Sequence, residues 1–269
     1  MALAVDSTSV DAALAIPAVA PLEELTARVS LVVPARNEAR NLSTVLAAIP
    51  DCVDEIILVD GNSTDATVAM AMHCRPDIRV VGQEVQGKGA ALRAGFLAAT
   101  GDVIVMMDAD GSMSATEIPH FLWYLDHGFD LVKGSRFVAG GGSTDITALR
   151  RAGNRALLAA VNVLYGAQLS DLCYGFCAFR RCWLESLDLS ATGFEIETEI
   201  TVQALRAGLR VTEVPSFELP RRTGRSGLRT FRDGWRVLHT VVHHRRSPGE
   251  PLSRVRAELP PAPVEVVGD

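Results

Sequence analysis

Between residues 29 and 134 short, continuous apolar runs rich in β-branched residues alternate with longer segments of mixed polarity. The runs Val29–Pro34, Glu55–Asp60, Ile78–Gly82, Asp102–Asp108 and Asp130–Gly134 read as strands buried on both faces. The segments between them, about 38–49, 64–74, 88–99 and 115–127, read as helices. Ser114 with Glu117 three residues later predicts a capping box for the fourth. Strand–helix alternation with short connections predicts an α/β fold, a mostly parallel sheet flanked by helices. Further on, Arg150, Arg151, Asn154 and Arg155 open a long helix, and Phe194–Ile200 starts another. A C-terminal helix over about 228–244 carries Leu228, Phe231, Trp235, Leu238 and Val242 at helical spacing. That stripe predicts packing on the domain; its interleaved arginines also suit an anionic lipid surface.

The ends of the chain differ from this pattern. Residues 1 to 28 are Ala-rich, with Pro17 and Pro21, and predict a mobile arm. Residues 247–269 contain Pro248, Pro251, Pro260, Pro261 and Pro263 and predict a disordered tail. A single domain over 29–246 lies between them. At 48% hydrophobic and 22% charged residues, the chain is too apolar for a disordered protein. No apolar run reaches the ~18 residues of a membrane-spanning helix; Leu157 to Tyr165 is short and interrupted by Asn162. No Lys or Arg precedes Arg28, unlike the basic start of a signal peptide. Five cysteines, an odd count, suit reduced thiols in a cytosol, and Cys173, Cys177 and Cys182 have the wrong spacing for a zinc knuckle. The expected location is cytoplasmic, with peripheral contact at the cytoplasmic membrane face as an option.

The net charge of −6 hides an asymmetry. Ten arginines and two acidic residues lie between Arg221 and Arg256, an excess of eight positive charges. Such a segment suits an anionic partner or a solvated helix face. No nucleic-acid-binding module accompanies it, so no nucleic acid partner is expected. Lys88 and Lys133 are the only lysines.

In an α/β sheet of this type, ligands bind at the carboxyl ends of the strands. All five ends are polar, charged or Gly-rich: Pro34-Ala35-Arg36-Asn37-Glu38, Asp60-Gly61-Asn62-Ser63-Thr64-Asp65, Gln86-Gly87-Lys88-Gly89, Asp108-Ala109-Asp110-Gly111 and Gly134-Ser135-Arg136. Asp108 and Asp110, two residues apart, offer oxygen ligands to one hard cation, which would neutralise a diphosphate leaving group. Lys88 between two glycines at a helix start suits an anion, although the P-loop spacing is absent. Asp60 suits hydrogen bonds from a nucleobase or ribose, whereas Asp65 suits the cap of the next helix.

These runs together resemble family 2 glycosyltransferases, and within them the dolichol- or polyprenyl-phosphate sugar transferase branch. The resemblance continues through Asp171 with Gly175-Phe176, Phe194-Glu195-Ile196-Glu197, Val214-Pro215 and Arg222-x-Gly224-x-Ser226, and spans roughly residues 29 to 244. It implies a GT-A fold, a UDP- or GDP-sugar donor, Mg²⁺ or Mn²⁺, and inversion at the anomeric carbon. It implies nucleotide or substrate contacts for Pro34, Arg36, Glu38, Asp60, Lys88, Asp108, Ala109, Arg136, Arg151, Arg222 and Ser226. Asp108 and Asp110 become the metal pair, Arg136 faces phosphate, and Arg222 and Ser226 lie on an acceptor-side loop. Two departures stand out. Asp60-Gly61-Asn62-Ser63 replaces the family's Asp-Asp-Gly-Ser, and Gly224-Arg225-Ser226-Gly227 replaces Gly-Glu-Ser-Lys.

The acceptor decides the catalytic residues. A lipid phosphate is already ionised and attacks directly, while an alcohol needs its proton taken by a base. Asp110, Asp171 and Glu197 are the candidate catalytic residues, and Glu195 is a further candidate base. The reading is a metal-dependent transferase acting on polyprenyl or dolichyl phosphate. The alternatives are the same donor chemistry with a small-molecule amine or alcohol acceptor, and a non-catalytic scaffold of the same fold.

Overall fold

Apolar residues on both faces of a strand require cover on both sides, and the structure supplies it. The computed structural model describes residues 27–224 and 230–246. In chain order the elements are β1 (Val29–Ala35), α1 (Ala39–Ala47), β2 (Glu55–Asp60), α2 (Thr67–Cys74), β3 (Arg79–Gly82), α3 (Lys88–Ala98), β4 (Val103–Met106), α4 (Ile118–Asp126), β5 (Leu131–Ser135), β6 (Gly142–Ser143), α5 (Ala148–Tyr165), β7 (Cys177–Arg180), α6 (Ile196–Arg206), β8 (Val211–Pro215), β9 (Phe217–Glu218) and α7 (Thr230–Arg246). The seven-stranded sheet has the order β3-β2-β1-β4-β7-β5-β8, and β6 pairs with β9 beside it. Pairing is parallel except at β7, which runs antiparallel to both β4 and β5.

Side chains along each central strand point alternately to opposite faces. Leu31, Leu58 and Val105 join α1, α2 and α4 in one core. Val32, Ile57, Val59, Ile104 and Met106 join α3 and α6 in the other. A third cluster, with Val161, Val202, Val237 and Val241, sits among α5, α6 and α7. The second core requires close approach of α3: a Cβ on Gly95 would lie 2.3 Å from Val32 Cγ1 and 2.9 Å from Val59 Cγ2.

The crevice arises where β1 and β4 separate. Their ladder ends at Val32 and Met106, while β1 continues along β2 through Pro34 and Ala35. Pro34 has no N–H to offer a neighbour on the β4 side. The fourth strand is therefore shorter than its apolar run, and Met107 and Asp108 leave the sheet. The second helix starts at Thr67 rather than 64, with Ala66 at its N-cap and no side-chain cap; Asp65, expected to cap, lies one residue earlier and its Oδ1 accepts from Thr67 N at 3.0 Å.

Two local expectations are corrected. Ser114 and Glu117 form no capping box. Ser114 Oγ meets Thr116 Oγ1, and the Glu117 carboxylate accepts from Ser216 Oγ and Phe217 N; tertiary donors outcompete the local N–H. The stripe expected to bury the C-terminal helix is also displaced. On α7 the buried apolar residues are Val237 and Val241, whereas Trp235 is 70% exposed and Val242 38%. Phe231's side chain and Leu228 lie outside the described residues. Polar contacts fix this rotation: Tyr165 Oη donates to Val241 O at 2.6 Å, and His244 Nε2 lies 3.2 Å from Glu199 Oε1.

The expected arm lies outside the described residues except at its last two positions, where Arg28 N donates to Asp102 Oδ2 at 3.0 Å. The expected tail also lies outside them. All five cysteines are free thiols, and burial pushes the Cys177 thiol up to about 12.

Gly95→Val should lower stability by about 1–3 kcal/mol, the usual range for overpacking. Urea unfolding should show a lower midpoint with an unchanged slope. An unchanged midpoint would mean that α3 does not press on β1 as described.

Candidate active site

Four strand ends and the starts of α3 and α6 converge on a cavity of about 160 Å³. Its charged lining includes Lys88, Asp108, Asp110, Arg136, Arg150 and Arg221. Lys88 occupies the junction. Its ammonium lies 2.6 Å from Asp108 Oδ1 and 2.7 Å from Glu197 Oε1. Burial would lower the lysine pKa, but the two carboxylates outweigh it and raise it.

The flanking glycines serve a different partner from the one expected. A Cβ on Gly87 would lie 2.0 Å from Thr192 O, and one on Gly89 2.5 Å from Ala191 O. The N–H groups of Gly89 and Ala90 both donate to Thr192 O. The glycines thus admit the 191–193 loop rather than a phosphate. Only the Lys88 side chain faces the cavity.

Asp110 is 3% exposed. One of its oxygens accepts from Ser112 N at 2.9 Å, and the other meets Arg221 at 2.8 Å. Glu38 sits nearby, with its pKa raised by burial and by the charges of Asp110 and Asp108, against an opposing hydrogen bond from Asn41 and the Arg221 charge. This corner holds an excess of negative charge and oxygen donors, which fits a hard divalent cation. Among the described residues no cluster of three metal-ligating side chains forms; Asp108 and Asp110 are the carboxylate pair at this corner.

Arg136 is held on several sides. Its Nε and Nη2 fork the Asp171 carboxylate at 2.6 and 2.9 Å, Nη1 donates to Glu218 at 3.1 Å, and Nη2 also reaches Cys173 O. The guanidinium lies 4.9 Å from the Tyr174 ring centroid. Four of its five N–H donors are engaged, which fixes its orientation. Asp171 is fully buried and committed to Arg136. Glu195 is likewise turned away: it pairs with Arg236 and accepts from Thr192 N and Gly193 N. Of the three expected base candidates, Glu197 alone lines the cavity.

At the first two strand ends, Asp60 accepts from Ser63 N at 3.2 Å. Asn37 Oδ1 accepts from Thr64 N at 2.7 Å and ties the two loops together. Pro34 is half-buried, Arg36 exposed and Ala109 buried. Seven expected contacts fall outside the cavity lining: Pro34, Arg36, Glu38, Asp60, Ala109, Arg151 and Arg222. Arg151 is exposed and lines a separate surface hollow with Arg155, because Arg150, Gly153, Asn154 and Leu157 are the α5 positions that turn inward. Arg222 lies exposed along the backbone of Gly111, and its neighbour Arg221 enters the site instead. The Arg221-Arg222 doublet was the one signal for this in the sequence. Ser226 lies outside the described residues.

The Glycosyl transferase family 2 model matches residues 30–188, more than half of the chain. The chain belongs to glycosyltransferase family 2. This glycosyltransferase is 32% identical over 230 residues to glycosyltransferase AglJ of Haloferax volcanii, covering 83% of this chain and 74% of that protein. It is 33% identical over 212 residues to polyprenol monophosphomannose synthase of Mycolicibacterium smegmatis, covering 74% and 80% of the two chains. Among solved structures, glucosyl-3-phosphoglycerate synthase of Mycobacterium tuberculosis, in complex with Mn²⁺, UDP and phosphoglyceric acid, superposes with a TM-score of 0.67 at 27% identity, over 83% of this chain and 80% of that one. The glycosyltransferase thus has the GT-A fold expected from its motifs. No helix among its described residues is long and apolar enough to cross a membrane.

Lys88→Met should destabilise the enzyme by about 3–5 kcal/mol, because it leaves two carboxylates facing each other without their cation. Urea midpoints of the variant and the parent enzyme check it; an unchanged midpoint would refute the charge argument.

Proposed function

We propose that this glycosyltransferase moves a sugar, with inversion, from a UDP- or GDP-sugar to polyprenyl or dolichyl phosphate in a metal-dependent reaction. One observation carries the choice of acceptor. Four of the six carboxylates that line the cavity lie within 3.1 Å of a cationic nitrogen: Asp108 and Glu197 of Lys88, Asp110 of Arg221, and Glu218 of Arg136. A carboxylate committed to a cation is not free to take an acceptor's proton, so these contacts favour an acceptor that arrives ionised. Relatives named as a polyprenol monophosphomannose synthase and a dolichyl-phosphate hexose transferase support the same reading.

Asp108 and Asp110 would hold Mg²⁺ or Mn²⁺. Such an ion supplies charge stabilisation to the departing diphosphate. Asp60 and the linked 34–38 and 60–65 loops, at the ends of β1 and β2, would hold the nucleoside. Lys88, paired with Asp108 and Glu197, adds positive charge beside the leaving group. An acceptor phosphate oxygen bonds to the anomeric carbon from the face opposite the diphosphate. The bond to the diphosphate oxygen breaks, and its electron pair leaves with the nucleotide. Arg136, fixed by Asp171, and Arg150 face the cavity where the acceptor phosphate would sit.

A second reading is a small phosphorylated acceptor. The likeness to a synthase solved with phosphoglyceric acid favours it. Incubation with UDP- and GDP-sugars, Mn²⁺, and either a short polyprenyl phosphate or phosphoglyceric acid separates the two. A sugar–phosphate–lipid product by mass spectrometry is expected; transfer to phosphoglyceric acid alone would replace the lipid reading.

Asp110→Asn should lower metal-dependent turnover by about a hundredfold or more with the melting temperature retained. Arg221→Met removes the cation that competes for Asp110. It should tighten Mn²⁺ binding without nucleotide, as read by electron paramagnetic resonance. Unaltered Mn²⁺ affinity would exclude Asp110 as a ligand that Arg221 guards.

A further inference from the structure

Lys88 is gripped at both ends by one short segment of chain. Thr192 O accepts from Gly89 N at 3.0 Å and from Ala90 N at 3.3 Å, which fixes the backbone just after the lysine. A Cβ on Gly87 would lie 2.0 Å from the same carbonyl, so it also packs against the backbone just before the lysine. At the other end, the ammonium lies 5.8 Å from the Phe194 ring centroid and 2.7 Å from Glu197 Oε1. Residues 192–197 thus form a cradle, and its place decides where the lysine charge sits in the cavity.

The cradle is held from outside by α7. Arg236 Nη2 donates to Glu195 Oε1 at 2.5 Å and to Thr192 Oγ1 at 3.0 Å. The same Glu195 oxygen accepts from Thr192 N at 3.3 Å and from Gly193 N at 3.0 Å. Carboxylate and guanidinium thus close on Thr192 through its N–H and its hydroxyl. Glu195 Oε2 is buried with no hydrogen-bond partner among the described residues, which leaves this carboxylate dependent on the Arg236 charge. Upstream, Glu199 accepts from Ser190 N and Ala191 N, and His244 Nε2 lies 3.2 Å from it. Arg236 and His244 therefore hold the segment at two points of α7, about 12 Å apart along the helix. Neither Glu195 nor Arg236 lines the cavity.

We propose that Arg236, acting through Glu195 and Thr192, is a positioning residue for Lys88. The inference rests on the reading of Lys88 as positive charge beside the leaving group. The contacts run from Arg236 to Glu195 and Thr192, from Thr192 O to the first turn of α3, and from there to the ammonium. A fixed charge stabilises the departing diphosphate only while it stays where negative charge develops. A displacement of about 1 Å can cost about a hundredfold in rate. Gly234 and Val237, beside Arg236 on α7, wall the cavity. One turn of helix thus serves both the wall of the cavity and the seat of the lysine.

The test uses the full-length chain. Its only lysines are Lys88 and Lys133, so selective ¹³C,¹⁵N-lysine labelling gives two side-chain signals by nuclear magnetic resonance. Lys133, buried in β5, is the internal control. Arg236→Met should shift the Lys88 signal and leave the Lys133 signal in place. With a UDP- or GDP-sugar and Mn²⁺, its kcat should fall by about tenfold or more, with the donor KM held within about twofold. Arg236→Lys should recover part of that loss. If Arg236→Met fails to fold, Glu195→Gln/Arg236→Gln, which removes both charges of the pair, takes its place. An unchanged Lys88 signal would overturn the proposal. So would shifts of both lysines together with a lower melting temperature and a raised donor KM, the mark of general loosening. A shifted Lys88 signal with kcat unchanged would keep Arg236 as the seat of the lysine and count against Lys88 as the charge beside the leaving group. Absence of turnover with any acceptor would count against the transferase reading alone, and the Lys88 signal would still decide the positioning role.

Discussion

The site depends on one buried ammonium group held between two carboxylates. Lys88 begins α3, Asp108 follows β4, and Glu197 lies in the first turn of α6. Each element comes from a different part of the chain, and the lysine ties all three at hydrogen-bond distance. Removing an ion from water is costly, and a buried cation persists only with close anionic partners. Here two carboxylates share one ammonium, so the cluster retains a negative charge. Asp110 and Glu38 add to that charge at the mouth of the crevice. Arg221 offsets part of that charge at Asp110.

Across the cavity the balance has a similar form with a different use. Arg136 is bound by Asp171 and Glu218, and Glu213 in turn holds the backbone N–H groups of Ser170 and Asp171. These outer contacts position the carboxylate that positions the arginine. A guanidinium locked by paired hydrogen bonds loses little freedom when a ligand arrives. Arg150 is freer: its contact with Asp145 is 3.9 Å, and its side chain is 30% exposed. One arginine thus defines direction and the other can adapt, which suits a phosphate group presented on a variable carrier.

The five strands named from the sequence are present because continuous apolar runs buried on two faces leave a local signature. The Asp108/Asp110 pair was legible for the same reason, lying directly after such a run. What escaped depends on long-range placement. β7 is four residues long, and its insertion between β4 and β5 reverses a ladder that alternation alone predicts to be parallel. Arg221 and Arg222 are equivalent by residue type, and only the turn after β9 decides which one meets Asp110. Arg150 and Arg151 differ by one step of a helix, about 100° of rotation, so naming the wrong one requires only a small error in which face turns inward. The glycines beside Lys88 were recognised as sites of close approach, but the approaching group is the protein's own 191–193 loop.

Helix α7 carries this lesson into function. Its apolar residues fall into two stripes, and periodicity cannot say which one is buried. Val237 and Val241 pack inward because Tyr165 and Glu199 capture the helix through polar contacts on that side. Trp235 is left outside as a consequence. An aromatic residue at 70% exposure would be an ordinary surface accident by itself. It ceases to look accidental when the adjacent α5 exposes its own apolar stripe while its inner side walls the cavity. Both helices then have a charged site on one side and exposed apolar side chains on the other.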